Sequence, residues 1–347
     1  MQFRTTFPAA DTMPAVNAND ASTTSGSTRA AAARALSHPV KACTRNAWAL
    51  LGLLLLFAVL LVPFPALGTR LASALENFVH APLFAGVAWG SWRWLQAGDA
   101  AGNRPLRSWL LAWLVSGIAA MITELVQPLT GRDNSLHDFN TDLFGIGAAL
   151  LPVAAGLLPR RDWRRGLLVA GAVAACAIVI WPVAYTVAAY RHRAALAPRL
   201  VDLDSDLSRV FLQRRGVHLD RDAGGDWLVS PLQSPWPGVT IDEVAPDWRH
   251  YRNLLVDVSN PGTQPVTLLI RIDDRGPGNR YADHYNASTV LAPGSHVQWR
   301  VALSGLERRT AGRGLDLGAM RRVILFQDTL RAAPALPYVL HDLRLER

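Results

Sequence analysis

Residues 122–150 read ITELVQPLTGRDNSLHDFNTDLFGIGAAL, two apolar stretches joined by a polar link. The first ends on Glu124 and Gln127, the second opens on Asp138 and Asp142, and Arg132 lies between them. Such a pattern reads as two membrane helices and the turn that joins them. A charged side chain inside a membrane helix costs about 2.5–3.5 kcal/mol on insertion scales, so it marks either pairing or a wet site. Glu124 and Gln127 are three residues apart and share a helix face. Asp138 and Asp142 are one helical turn apart and repel each other unless a cation or a proton separates them.

Outward from this stretch, apolar runs at 47–62, 78–95, 109–129, 139–158 and 166–189 predict about five spans. The last run carries no charge in its 24 residues. Arg104 and Arg107 fill one loop, and Arg160, Arg161, Arg164 and Arg165 fill another, so both loops are expected on the cytoplasmic side. Arg29, Arg34, Lys41 and Arg45 precede the first run and place the N-terminus on that side too. Five crossings then leave the C-terminal half outside. On this topology His80, Glu124, Gln127, Arg132, Asp138 and Asp142 gather at one depth, near the outer ends of three helices.

Composition agrees. Of 347 residues half are apolar, and the formal net charge is +8. The basic excess has an address: residues 1–199 hold 17 Lys and Arg against 9 Asp and Glu, and residues 200–347 hold 18 against 18. Charge at helix ends is a topology signal, whereas nucleic-acid binding needs a basic stripe on a folded face, so that partner is not expected. Cys43 and Cys176 both lie outside the C-terminal region, and two isolated cysteines make no zinc motif. Walker A, GxGxxG, HExxH and GxSxG patterns are missing from the sequence, and no cofactor is expected.

From about residue 211 the pattern changes period. Val266, Leu268, Ile270 and Ile272 alternate with Thr267, Leu269, Arg271 and Asp273, and Val297, Trp299, Val301 and Leu303 alternate likewise. Runs at 250–258, 323–326 and 338–345, with Asn260-Pro261-Gly262 as a turn, complete the signature of a β-sandwich.

Three uses of the polar cluster follow from its residue types. It can be an ion-pair lock between helices, a site for a polar headgroup held by Arg132 and His80, or a catalytic site with Glu124 or His80 as general acid or base.

At these residues the sequence resembles the VanZ-like family of bacterial membrane proteins. Glu124, Gln127, Arg132, Ser135, Asp138 and Gly145 follow the family pattern, and His80 of ENFVHAPLF matches its upstream histidine. Two positions depart: Asp142 stands where the family has Asn, and Glu76-Asn77 replaces an Asp-Lys pair. The resemblance covers residues 46–160. It implies a cell-envelope protein related to one linked with resistance to the glycopeptide teicoplanin, and it implies no established reaction.

The C-terminal strands resemble a galactose-binding-type jelly roll, through YRNLLVDVSNPG, LLIRIDDR, APGSHVQWRVAL and LHDLRLE. The resemblance implies a glycan, with rings stacking on sugar faces. Tyr281, Asp283 and Tyr285 lie in the densest polar and aromatic stretch, as a sugar site, a calcium site with Asp273 and Asp274, or an ordinary solvated loop.

The chain is thus expected to be multi-domain: a cytoplasmic disordered tail (1–45), a VanZ-like α-helical transmembrane bundle (46–190), a linker (191–210) and an extracytoplasmic all-β sandwich or jelly roll (211–347). The bacterial inner membrane is its place, with the lipid bilayer and a cell-wall precursor or glycan as partners. Binding at the outer leaflet is the first expectation. An enzyme acting on an envelope lipid or peptidoglycan precursor is the second.

Overall fold

The computed structural model describes residues 68–98, 104–130, 136–222, 224–276, 283–307, 313–330 and 334–347. The tail, the span expected at 47–62, and Arg132, Ser135 and Tyr281 lie outside the described residues. Residues 63–347 form one compact unit.

Among the described residues four long helices come first: α1 (Arg70–Gly98), α2 (Pro105–Val126), α3 (Leu136–Leu157) and α4 (Trp163–Leu196). α2 starts on a proline, which misses no helical hydrogen bond there, and ends in a 3₁₀ turn, Gln127–Thr130. α4 starts after Asp162, whose carboxylate accepts the Arg164 N–H at 2.9 Å.

Among the described residues three helices are long and apolar enough to cross a membrane: Pro105–Leu129, Leu136–Leu157 and Trp163–Leu196. This corrects the expectation of about five. The stretch 78–95 is helical, but α1 mixes its apolar residues with Arg70, Glu76, His80 and Arg93 and falls short in hydropathy.

The helices pack through small residues. On α2, Ser108, Ala112, Ser116, Ala120 and Glu124 recur every fourth residue and are buried. Leu106, Leu110, Leu114, Ile118 and Ile122 recur on the other face and are exposed. Glu124 thus ends the inward stripe of its helix. The tightest approach joins α3 to α1, where a Cβ on Gly145 would lie 2.2 Å from the Ala81 carbonyl oxygen. Only glycine fits there, and the close approach sets the spacing of the side chains one position either side of Ala81. Trp109 Nε1 donates to the Leu150 carbonyl at 2.8 Å and ties α2 to α3.

The rest is a β-sandwich. Its strands are β1 (Leu212–Arg215), β2 (Val217–Arg221), β3 (Trp227–Pro231), β4 (Gly238–Asp242), β5 (Asn253–Ser259), β6 (Val266–Asp274), β7 (Tyr285–Leu291), β8 (His296–Ala302), β9 (Met320–Phe326) and β10 (Tyr338–Glu346). They form two five-stranded antiparallel sheets, β1-β4-β9-β6-β7 and β2-β3-β10-β5-β8. The alternation read on β6 holds: Val266, Leu268, Ile270 and Ile272 are buried in the core with Trp248, Val256 and Tyr338. Leu200, Val201 and Leu203, from the stretch read as a linker, belong to the same core. β1 to β4 and β7 were not anticipated, because charged edges such as LQRR and a polar β7 hide the period.

Glu243 is one of the residues that join helices to sandwich. Glu243 accepts the Arg70 N–H, at the start of α1, at 2.7 Å. Its other carboxylate oxygen accepts the hydroxyl of Tyr190, near the end of α4. Arg193 lies over the rings of Tyr190 and Phe211, at 4.7 and 4.2 Å. Glu243 holds φ at 51°, a left-handed conformation that costs a non-glycine residue energy.

Candidate functional site

The polar cluster comes together in the helical bundle. His80 sits on α1, Glu124 at the end of α2, and Asp142 in the second turn of α3. All three are buried, with Asp142 fully so. His80 Nδ1 lies 3.2 Å from Asp142 Oδ1. One donor atom from each of the three residues lies within 4.8 Å of the others. Gln127, in the turn that follows α2, and Asp138, in the first turn of α3, are buried as well.

Their neighbours are already satisfied. Thr123 and Thr141 donate to carbonyls one turn back in their own helices, at 2.9 and 3.0 Å. Asp142 differs: its Oδ2 is buried without a hydrogen-bond partner. A groove of about 60 Å³ opens between α1, α3 and α4, lined by Asn77, Phe78, Asn140, Phe144 and Pro182 among others and by none of the cluster residues. That volume takes a few water molecules.

The sandwich candidates sit differently. Asp273 is buried and engaged by Arg271 at 3.0 Å, His284 at 2.8 Å and Arg322 at 2.6 Å. Burial pushes the Asp274 carboxyl pKa up, but Arg313 and the N–H groups of Asp316 and Gly276 outweigh it and hold the carboxyl below its ordinary value. Calcium would have to displace these partners. Asp283 lies close enough to Arg313 to favour its charge. Tyr285 packs against the sandwich core.

A second polar surface was not singled out from the sequence. On the sheet β2-β3-β10-β5-β8, His341 Nδ1 lies 2.8 Å from Asp226, and His341 Nε2 lies 2.9 Å from the Ser259 hydroxyl. The His341 and His296 rings stack at 4.6 Å, and His296 also pairs with Asp257. Arg300 bonds Glu346 at 3.0 Å, and Arg344 bonds Asp342 at 2.8 Å. The signal was present: polar residues fill the outward alternate positions of β8 (His296, Gln298, Arg300) and of β10 (Asp342, Arg344, Glu346).

No family model matches the chain, and no curated protein matches it. Solved structures do resemble part of it. The family 11 carbohydrate-binding module from Clostridium thermocellum, in complex with a mixed-linked tetrasaccharide, is 16% identical over 43% of this chain and 94% of its own, with a TM-score of 0.31. The non-crystalline cellulose-specific module CBM28 is 12% identical over 44% and 94%, with a TM-score of 0.32. The agarase AgWH50C is 18% identical over 43% and 26%, with a TM-score of 0.35. The chain thus spans about a quarter of the length of the agarases it matches. At these scores the similarity decides nothing about a ligand.

Proposed function

We infer that the chain is a VanZ-like, multi-pass protein of the bacterial inner membrane that binds a lipid-linked or cell-wall glycan component at the outer leaflet. One observation carries this reading: the buried cluster and the sandwich occupy the same end of the helical bundle. Glu243 binds the start of α1 and the end of α4. The cluster lies ten residues into α1, at the end of α2 and near the start of α3. The arginine-rich loops at 104–107 and 160–165 fall at the opposite end, and positive charge stays in the cytoplasm. Sandwich and cluster therefore face outward together.

In this arrangement α1 crosses beside the three apolar helices, with His80 buried against them. A lipid-linked ligand would place its headgroup near His80, Glu124, Gln127 and Asp142, with Arg132, outside the described residues, as a further candidate. The sandwich would meet the sugar with the His341 and Arg344 face, which supplies donors and acceptors in a row. Asp283 and Tyr285, just before and at the start of the edge strand β7 of the other sheet, are the secondary candidates together with Tyr281. Two modules on one side raise each other's local ligand concentration. Interference with glycopeptide antibiotics would follow from binding their target precursor.

A second reading is an enzyme on an envelope lipid or peptidoglycan precursor. The 3.2 Å contact of His80 with Asp142 favours it, because a carboxylate orients an imidazole for proton transfer. The test incubates purified protein, wild type and Glu124→Gln, with the lipid-linked peptidoglycan precursor, and measures retention and the mass of the recovered lipid. Retention at unchanged mass, weakened in the variant, is expected. A mass change made by wild type alone would replace binding by catalysis. No retention by wild type would end the precursor reading. A phosphatase fusion after Arg199 that stayed inactive would overturn the topology.

A further inference from the structure

His80, Glu124 and Asp142 come from three separate helices, and all are buried. A donor atom from each lies within 4.8 Å of the others. The His80–Asp142 separation of 3.2 Å is close to that of two ligands on one ion, roughly 3.4 Å for tetrahedral bonds of about 2.0–2.1 Å. Asp142 Oδ2 adds an independent sign: it is a buried carboxylate oxygen with no hydrogen-bond partner. A low-dielectric site tolerates such a group only when something supplies positive charge or a proton.

We propose that His80, Glu124 and Asp142 bind one divalent transition-metal ion, of the zinc and manganese class, inside the helical bundle. The inference deepens the proposed function and rests on reading this cluster as its working site. One imidazole and two carboxylates form the donor set of such ions. Calcium and magnesium prefer all-oxygen sets. A 2+ ion supplies the positive charge that the unpartnered Asp142 Oδ2 lacks. Three protein ligands leave a tetrahedral ion one open position, which accepts water or an oxygen of a bound headgroup. The sandwich offers the contrast: Asp273 and Asp274 are engaged by arginines and need no ion. Gly145 is part of the device, because its contact with Ala81 brings the His80 and Asp142 backbones together.

The full chain is purified in detergent, stripped with a chelator, reloaded with zinc or manganese(II), desalted, and its metal measured by mass spectrometry. Wild type is expected to hold about one equivalent. Asp142→Asn and His80→Gln, with elution and circular dichroism unchanged, are expected to hold at least about tenfold less at the same loading. Less than a tenth of an equivalent in wild type overturns the proposal. Full retention in both variants overturns it too, and assigns the ion to surface histidines such as His296 and His341. Should the variants aggregate, cobalt(II) in wild type decides: an intense tetrahedral visible spectrum supports the site, and the weak spectrum of aqueous cobalt overturns it. Precursor binding is measured separately. Precursor retained by a protein that takes up no metal overturns the metal site alone. Metal bound without precursor retention supports the site and overturns the ligand reading.

Discussion

Two buried aspartates separate the halves of this molecule. In the sandwich, both oxygens of Asp273 are taken, by Arg271 and His284 on one and Arg322 on the other. In the helical bundle, Asp142 gives one oxygen to His80 and leaves the second without a partner. The first carboxylate is part of a closed ion-pair network that staples β6 to β9 and to the start of β7. The second keeps one oxygen open, as the proposed metal site requires. Burial is equal and surroundings differ, so the partners of a buried acid, rather than its depth, distinguish structure from function.

The comparison breaks most violently at Gly145. Gly145→Ala puts a methyl on the Ala81 backbone, which cannot move aside as a side chain can. A loss of about 3 kcal/mol is expected, the upper end of the overpacking range. It would be read as a lower unfolding temperature in detergent, and metal uptake would fall with it. A wild-type melting curve would mean the helices slide apart freely.

Next comes the pair itself. Asp273→Asn leaves three cationic or polar partners short of their acceptor, and about 2–3 kcal/mol should be lost, given that both arginines are about a third exposed. Asp142→Asn in metal-free protein should change stability by less than about 1 kcal/mol, because it removes a charge that was never fully paired. Equal losses at the two positions would erase the distinction. The readout is thermal unfolding of the two variants side by side.

A smaller effect is expected at the junction. Tyr190→Phe removes one hydrogen bond to the Glu243 carboxylate and should cost about 1.5 kcal/mol. Limited proteolysis near Ala197 should then be faster than in wild type. An unchanged cleavage rate would show that the core residues Leu200 and Val201 hold the junction unaided.

The last effect is graded with pH. Burial, with Arg271 and Arg322, pushes the His284 pKa below its ordinary 6.5 against the pull of Asp273. A depressed histidine resists protonation when folded, so its contribution is full above pH 6.5 and declines as the pH falls through that value. Asp274 lies below its ordinary 3.8, so its contribution is present above that pH and is lost on further acidification. Sandwich melts at neutral pH, between the two values and below both should show two successive losses. His284→Gln should remove only the first.

The candidate cluster was largely legible before any fold was known. A carboxylate such as Glu124 within an apolar helix is conspicuous, whereas the inward stripe of small residues that leads to it emerged only with the fold. The sandwich was half legible. β6 and β8 announce themselves by alternation over nine and seven residues, whereas β1 and β2 are four and five residues long and mostly exposed, too short for a period to show. The His341 and Arg344 face was missed, because outward polar residues look alike until the sheet order aligns them.

Sequence alone determined which residues are costly to bury, where period 3.6 gives way to period 2, and which loops hold the positive charge. Those are properties of neighbours along the chain. The tertiary structure alone decided that His80 meets Asp142 across 62 residues, that Glu243 fastens the sandwich to the end of the bundle holding the cluster, and that Asp273 is satisfied while Asp142 is not. Each of these depends on a close approach between distant segments. Helix contacts as tight as Gly145 on Ala81 are set by packing in three dimensions, which no local pattern encodes.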